Sequence, residues 1–316
     1  MSNKTSLLRF SFHRDYNRYS GGHQKFRDYL LHTKALSGVE CNLHVNNQCP
    51  VMPDFFNNIS GVKYHTQYLP EQADIAFLAG LDWQAYLPLR QKNQPVINLV
   101  QHVRHADKEN KLFSFLEHEA LRICVSNAVK EAIEPFANGE CVTIPMGHNI
   151  PQIESLKDVD LYILGKKNPR FAANIEQWAK RRNWVVHLDS GLVARQTVLN
   201  NMARSKVSLV LPNPTEGFFL PGIEAMALSD RVVVPDCIAN REYCLPTTNI
   251  TLCDYSEHSC IRALEYAEQR LLSPVQSIEK FRGTRLAYQY SLALEKKTYL
   301  ALLVKKNIVS HATETN

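Results

Sequence analysis

Apolar residues along the chain fall into short runs rich in β-branched side chains, separated by stretches with helical spacing. In the first half the runs are Leu7–Phe12, Val39–Val45, Asp74–Ala79, Val96–Val100, Leu121–Val125 and Cys141–Ile144. Helical patterns lie between several of them, at Gly22–Leu36, Asp107–His118 and Asn127–Phe136. Continuous apolar strands alternating with helices predict parallel β-structure covered on both faces. The segment from Asn46 to Lys63 is rich in Asn, Pro and Gly and predicts a surface loop.

The alternation pauses at Ile144-Pro-Met-Gly-His-Asn-Ile-Pro151, which carries two prolines and a glycine. This reads as a connector, so one domain spans 1–152. A second series follows. Strands are expected at Leu161–Leu164, Trp184–Leu188, Val207–Leu211, Arg231–Pro235 and Ile250–Cys253. Helices are expected at Arg170–Asn183, Gln196–Arg204, Pro221–Leu228 and Ser256–Leu272. A second domain therefore covers 153–275. From Pro274 to about Ile308 the pattern is helical with no strand, so 276–316 reads as a tail that packs back on the first domain. The whole is α/β: two doubly wound domains facing a cleft, where ligands of such sheets bind.

Composition narrows the picture. The 316 residues suit two domains at ~150 each. No stretch approaches the ~18 consecutive apolar residues of a membrane-spanning helix. The first residues lack the apolar run and cleavage site of a signal peptide. Eight scattered cysteines form no C-x-x-C pair, which predicts reduced thiols in a cytoplasmic protein and no metal site. The net charge of +5 is uneven. Seven bases lie between Lys280 and Lys306 against Glu295 alone, a composition suited to peripheral contact with an anionic membrane, or simply a solvated helix face. Asp158-Val-Asp160 has a metal-binding spacing but precedes a strand, so it reads as a surface link.

The chemistry concentrates in Val207-Ser-Leu-Val-Leu-Pro-Asn-Pro-Thr-Glu216-Gly217-Phe218-Phe219-Leu220-Pro-Gly-Ile-Glu224-Ala-Met-Ala-Leu. A buried strand ends at Pro212, a loop carries Glu216, and a helix begins near Pro221. Glu224 is expected on that helix's first turn, facing the same cleft as Glu216. Two carboxylates on one loop–helix unit suit a ligand with two sets of hydroxyls, as a nucleotide sugar has in its sugar and its ribose. The helix N-terminus adds N–H groups for phosphate.

The run E-G-F-F-L-P-G-I-E-A-M-A resembles the Glu-x7-Glu signature of retaining glycosyltransferases of the GT-B fold. The resemblance implies that Glu216 contacts the transferred sugar and Glu224 the ribose, with Gly217, Phe218, Phe219 and Leu220 shaping the donor site. Gly21-Gly22, opening the first helix, matches the family's glycine pair near the donor diphosphate. In Gly165-Lys166-Lys167-Asn-Pro-Arg170 the family's two diphosphate-neutralising bases correspond to Lys166 and Arg170, with Lys167 as a substitute; Lys stands where Arg is usual. His102, or failing it His105, matches a histidine near the reacting sugar. Asp236 to Glu242 either touches the donor or shapes its loop.

These matches imply a hexosyl- or related transferase, active in polysaccharide biosynthesis. It would move a sugar from a UDP- or GDP-linked donor to a glycan or lipid-linked acceptor, with no cofactor and no metal. The expected location is the cytoplasm, with possible contact at the inner membrane face. Two other readings share the fold: a non-catalytic subunit supporting a partner transferase, and a transferase acting on modified DNA bases. Retention of both glutamates with basic residues argues against the first, and nothing in the sequence resembles a nucleic-acid recognition motif for the second.

Overall fold

A computed structural model describes residues 7–309. The chain divides into two compact units, one ending at Met146 and resuming at Leu292, the other running Gly147–Ser291. Each is built on a sheet in which every strand pairing is parallel.

In the first unit the elements run β1 (Leu8–Asp15), α1 (Gly21–Lys34), β2 (Val39–Asn46), β3 (Val62–Tyr64), β4 (Ile75–Ala79), α2 (Asp82–Tyr86), β5 (Val96–Val100), β6 (Leu121–Cys124), α3 (Asn127–Ile133) and β7 (Cys141–Thr143). The sheet order is β3-β2-β1-β4-β5-β6-β7. Strand β1 lies inside the sheet, with Phe10 in register with Cys41 on one side and Ile75 on the other. Phe10 and Phe12 are wholly buried, and Phe12 packs on Phe26 of α1 and Phe77 of β4.

The second unit runs β8 (Val159–Leu164), α4 (Pro169–Arg181), β9 (Val186–Asp189), α5 (Arg195–Arg204), β10 (Ser205–Val210), α6 (Leu220–Leu228), β11 (Arg231–Pro235), β12 (Ile250–Cys253), α7 (Glu257–Leu271) and α8 (Gln276–Gln289). Its sheet order is β12-β11-β10-β8-β9. The last helix, α9 (Leu292–Lys305), belongs to the first unit.

The expected alternation is present, with three departures. Residues 62–64, at and beyond the end of the expected loop, form the edge strand β3. The helix expected at Asp107–His118 is instead a series of tight turns ending in a 3-10 turn at Ser114–Glu117. The Asp107 and Asn110 side chains accept from the amides of Glu109 and Leu112, diverting them from helical bonding. Arg122 takes the carbonyls downstream. Fully buried, it donates to the backbone oxygens of Phe115 (3.2 Å), Leu116 (3.0 Å), His118 (2.6 Å), Ala120 (3.3 Å) and Asn138.

The third departure is the tail. It is two helices broken at Tyr290–Ser291, and they divide between the units. Helix α8 lies on α6, where a Cβ on Gly283 would sit 1.8 Å from Asn249 Oδ1. Its Lys280 donates to the carbonyls of Met226 (3.0 Å), Ala227 (2.7 Å) and Ser229 (2.6 Å), closing the carboxyl end of α6. Burial, with Lys157 nearby, pushes the Lys280 ammonium down to about 7. Helix α9 docks on α1 through a buried charge cluster. Glu295 accepts from Lys25 (2.9 Å) and His32 (3.0 Å), and Lys25 also meets Asp28 at 2.8 Å. Lys306 pairs with Glu140. Of the seven tail bases, Lys280 and Lys306 are thus tied to the protein's own acceptors, while Arg282, Arg285, Lys297 and Lys305 are exposed. All eight cysteines are free thiols, and among the described residues no helix is long and apolar enough to cross a membrane.

Arg122→Met should leave the carbonyls of His118 and Ala120 without a donor, whereas those of Phe115, Leu116 and Asn138 keep the amides of His118, Asn138 and Ala120. At ~1–3 kcal/mol for each buried group so stranded, we expect a loss of about 2–6 kcal/mol in urea unfolding. Amides of residues 112–120 should lose exchange protection first.

Candidate active site

The second sheet reverses direction at β8. From β8 the chain steps to β9 on one side, then crosses to β10 on the other. Between the carboxyl ends of β8 and β10 the connecting loops part, which makes the crevice where open α/β sheets hold ligands. Both charged segments singled out in the sequence emerge there.

After β8, Gly165 passes so close to α4 that a Cβ would lie 2.2 Å from that of Ala172. Its amide donates to Asp189 O at 2.8 Å, and Asn168 caps α4 by accepting from Phe171 N at 3.3 Å. Lys166, Lys167 and Arg170 are exposed on this tight strand-to-helix turn. After β10, Pro212 and Pro214 bar further ladder bonding, and the chain turns through Asn213, whose carbonyl accepts from Glu216 N at 3.1 Å. Glu216 Oε1 meets Lys167 Nζ at 3.0 Å and Asn213 Nδ2 at 3.3 Å. The crevice thus brings Lys167 and Glu216 into contact, with Lys166 and Arg170 on the same turn.

The remaining motif residues support this loop from below. Phe218 and Phe219 are buried, and Phe218 packs against Tyr243 and Tyr290 with ring centres 6.1 and 5.3 Å away. The Tyr243 hydroxyl donates to Phe219 O at 2.9 Å, just before Leu220 opens α6. A Cβ on Gly222 would meet that hydroxyl at 2.4 Å, so only glycine lets the tyrosine under the helix end. Gly217 is buried between Glu216 and this aromatic group. Beyond β11, Arg241 forms a double hydrogen bond with Asp236, and buried Asn240 donates to Pro235 O, so this segment is held by its own contacts.

Glu224 departs from expectation. It is the fifth residue of α6, not part of the first turn, and is 5% exposed. Its Oε1 receives Arg195 Nε at 2.9 Å and Nη2 at 2.8 Å, with His148 Nδ1 at 3.4 Å. Arg195 also donates to Asn149 O at 2.6 Å. Burial opposes ionisation of Glu224, but His148 and Arg195 outweigh it and hold the carboxyl below its ordinary range. Neither partner was identified from sequence. Arg195 opens the helix after β9, and His148 sits in the segment read only as a connector.

In the first unit, Gly21 and Gly22 are the first two residues of α1. Nothing lies within 4 Å of a Gly21 Cβ, and that of Gly22 would make only ordinary contacts with Ser20 and Gln101, so packing does not demand glycine at either. His102 follows β5 and caps a 3-10 turn by accepting from Arg104 N at 3.4 Å. His105 is buried, and burial together with Arg104 pushes its ring down to about 3, so it stays neutral. Of the two, His102 is the more accessible. Asp158 and Asp160 lie at the amino end of β8, the opposite edge from Glu216, paired with Arg204 and with Lys206.

The sequence matches no protein-family profile, and comparison with curated proteins returns no relative. Solved structures do match. Sucrose-phosphate synthase from Thermosynechococcus elongatus superposes with a TM-score of 0.69 at 12% identity, over 96% of this chain and 100% of that one. A glycosyltransferase from Rickettsia africae gives 0.67 at 12%, over 95% and 98%. Anabaena HepE, solved in complex with UDP and glucose, gives 0.68 at 11%, over 94% and 100%. The chain therefore has the α/β fold of the GT-B glycosyltransferases, with two Rossmann-like units.

Arg195→Met should destabilise the protein by about 1–2 kcal/mol at pH 7, below the ~3–5 of a wholly buried pair because the guanidinium is half-exposed. Glu224 ionises more readily folded than unfolded, so the contribution is full above its unfolded pKa of ~4.3 and disappears as pH falls through the lower folded value. Urea midpoints of the two proteins should draw together as pH falls below ~4.3 and coincide once Glu224 is protonated in the folded state.

Proposed function

We propose that the chain is a retaining glycosyltransferase. It moves a sugar from a nucleotide-sugar donor to a hydroxyl of a glycan or lipid-linked acceptor, without a metal. The observation that carries this reading is the Lys167–Glu216 pair at the switch point of the second sheet, flanked by Lys166 and Arg170. The fold is shared with glycosyltransferases, and HepE structures contain UDP and UDP-glucose.

In this reading Lys166, Lys167 and Arg170 neutralise the diphosphate. Lys167 exchanges its contact with Glu216 for a phosphate oxygen, and Glu216 then receives hydroxyls of the transferred sugar. Glu224 holds the ribose. Arg195 and His148 occupy its Oε1, which leaves Oε2 for ribose hydroxyls. As the sugar–oxygen bond breaks, the electron pair leaves with the diphosphate, and the fixed positive charges stabilise it. The acceptor hydroxyl attacks the oxocarbenium-like sugar from the same face and passes its proton to the departing diphosphate oxygen, so configuration is retained. The family resemblance assigns Gly21 and Gly22 to phosphate and His102 to the transferred sugar. The exposed tail bases are available to an anionic membrane, which would fit a lipid-linked acceptor.

Calorimetric titration with UDP and GDP should detect binding of one of them that survives EDTA. Loss of both nucleotide binding and transfer in EDTA would overturn the metal-free account.

The two glutamates should separate. Glu224→Gln should weaken nucleoside diphosphate binding by about 1.5–3 kcal/mol, the range for a hydrogen bond to a charged group. Glu216→Gln should lower turnover while nucleotide affinity stays within about twofold. Equal loss of nucleotide affinity in both variants would refute this division of roles.

A further inference from the structure

Parallel sheets need cover on both faces. In the first unit α1 covers the face carrying Phe10 and Phe12. The opposite face of β1, β2 and β3 carries Ser11, Asn42 and His44. Residues 65–74 cross it over β2 and β3, with a single 3-10 turn at Pro70–Gln72 in place of a crossover helix. This thin cover leaves a cavity of about 210 Å³. That is below the ~300–1,000 Å³ of pockets for drug-sized ligands, which limits an occupant to about one ring.

The walls are polar without spare charge. Glu40 pairs with Lys63, and Arg9 with Asp74. His44 Nδ1 faces His65 O at 3.0 Å and so carries the proton, which makes Nε2 an acceptor. His65 Nε2 faces Asn42 Oδ1 at 2.8 Å, which likewise makes its Nδ1 an acceptor. The buried hydroxyls of Ser11 and Tyr68 face each other, and neither completes a hydrogen bond with any other group. Such groups are costly to leave unsatisfied. The Tyr68 ring, 4.7 Å from that of His13 and 6.3 Å from that of His44, supplies a flat aromatic wall.

We propose that this cavity binds a neutral, hydroxyl-rich ring of one monosaccharide unit. Sugar hydroxyls both donate and accept. They would donate to the two imidazole nitrogens and satisfy the Ser11 and Tyr68 hydroxyls, while the apolar face of the ring lies on Tyr68. With its charges already paired, the cavity has no group to compensate an ionic ligand. This inference does not rest on the donor reading, whose carrying residues Lys167 and Glu216 belong to the second unit.

The test is saturation-transfer NMR of the full chain with glucose, galactose and N-acetylglucosamine, each with and without saturating UDP. At least one sugar should receive saturation, unchanged by UDP. Ser11→Leu, which fills the cavity, and Gln72→Trp, which closes its rim, should each cut the signal about tenfold, equivalent to about 1.4 kcal/mol. Gln72 is exposed, so its variant should melt like the parent even if Ser11→Leu does not fold. Absence of transfer to all three sugars, transfer that survives Gln72→Trp, or transfer abolished by UDP would overturn the proposal. Failure to bind UDP while sugar transfer persists would count against the donor reading alone.

Discussion

A parallel strand cannot pair with its sequence neighbour through a hairpin. The chain must cross back over the sheet before the next strand begins. Both units obey this constraint throughout, and the rest of the molecule follows from it. Every strand of a sheet ends at the same edge, so the loops that follow them gather there. Where the winding changes direction, beside β8 in one unit and beside β1 in the other, the loops part and leave room. Glu216 and Lys167, 49 residues apart in sequence, meet because β10 and β8 are neighbours on opposite sides of that reversal.

Crossover length governs the rest. A helical crossover covers a sheet face, as α1 does over Phe10 and Phe12. The short β3–β4 crossover does not, and a polar cavity forms beneath it. The constraint also explains the use of buried charge. Glu295, Lys25 and His32 join a helix from the end of the chain to the first helix, where no strand pairing would do so. Arg122 closes a loop whose carbonyls no helix or ladder satisfies. Arg195 ties the segment after β9 to Glu224. Each is costly to bury alone and is retained because several partners surround it.

Much of the fold was legible in the sequence. The runs at Val96–Val100 and Arg231–Pro235 coincide with strands to the residue, because a strand buried on both faces needs an unbroken apolar run. The loop–helix around Glu216 was legible for a related reason: proline and glycine act locally on the backbone. Failures occurred where distant groups prevailed. The pattern of Asp107–His118 is helical by spacing, yet Arg122, on a strand that follows it, takes the carbonyls. The tail after Pro274 is uniformly helical in pattern, and nothing local divides it between two units.

The sequence by itself determined the alternation of strand and helix, and the loop chemistry of Lys166, Lys167, Arg170 and Glu216. Those features depend on periodicity and on the conformational limits of neighbouring residues. Only the tertiary structure decided which side chains meet. It paired Lys167 with Glu216, gave Glu224 to Arg195 and His148, buried His105 while leaving His102 accessible, and brought the Ser11 and Tyr68 hydroxyls together under the short crossover. Such contacts depend on strand order and crossover length, and one sheet reversal can join residues that no local pattern connects.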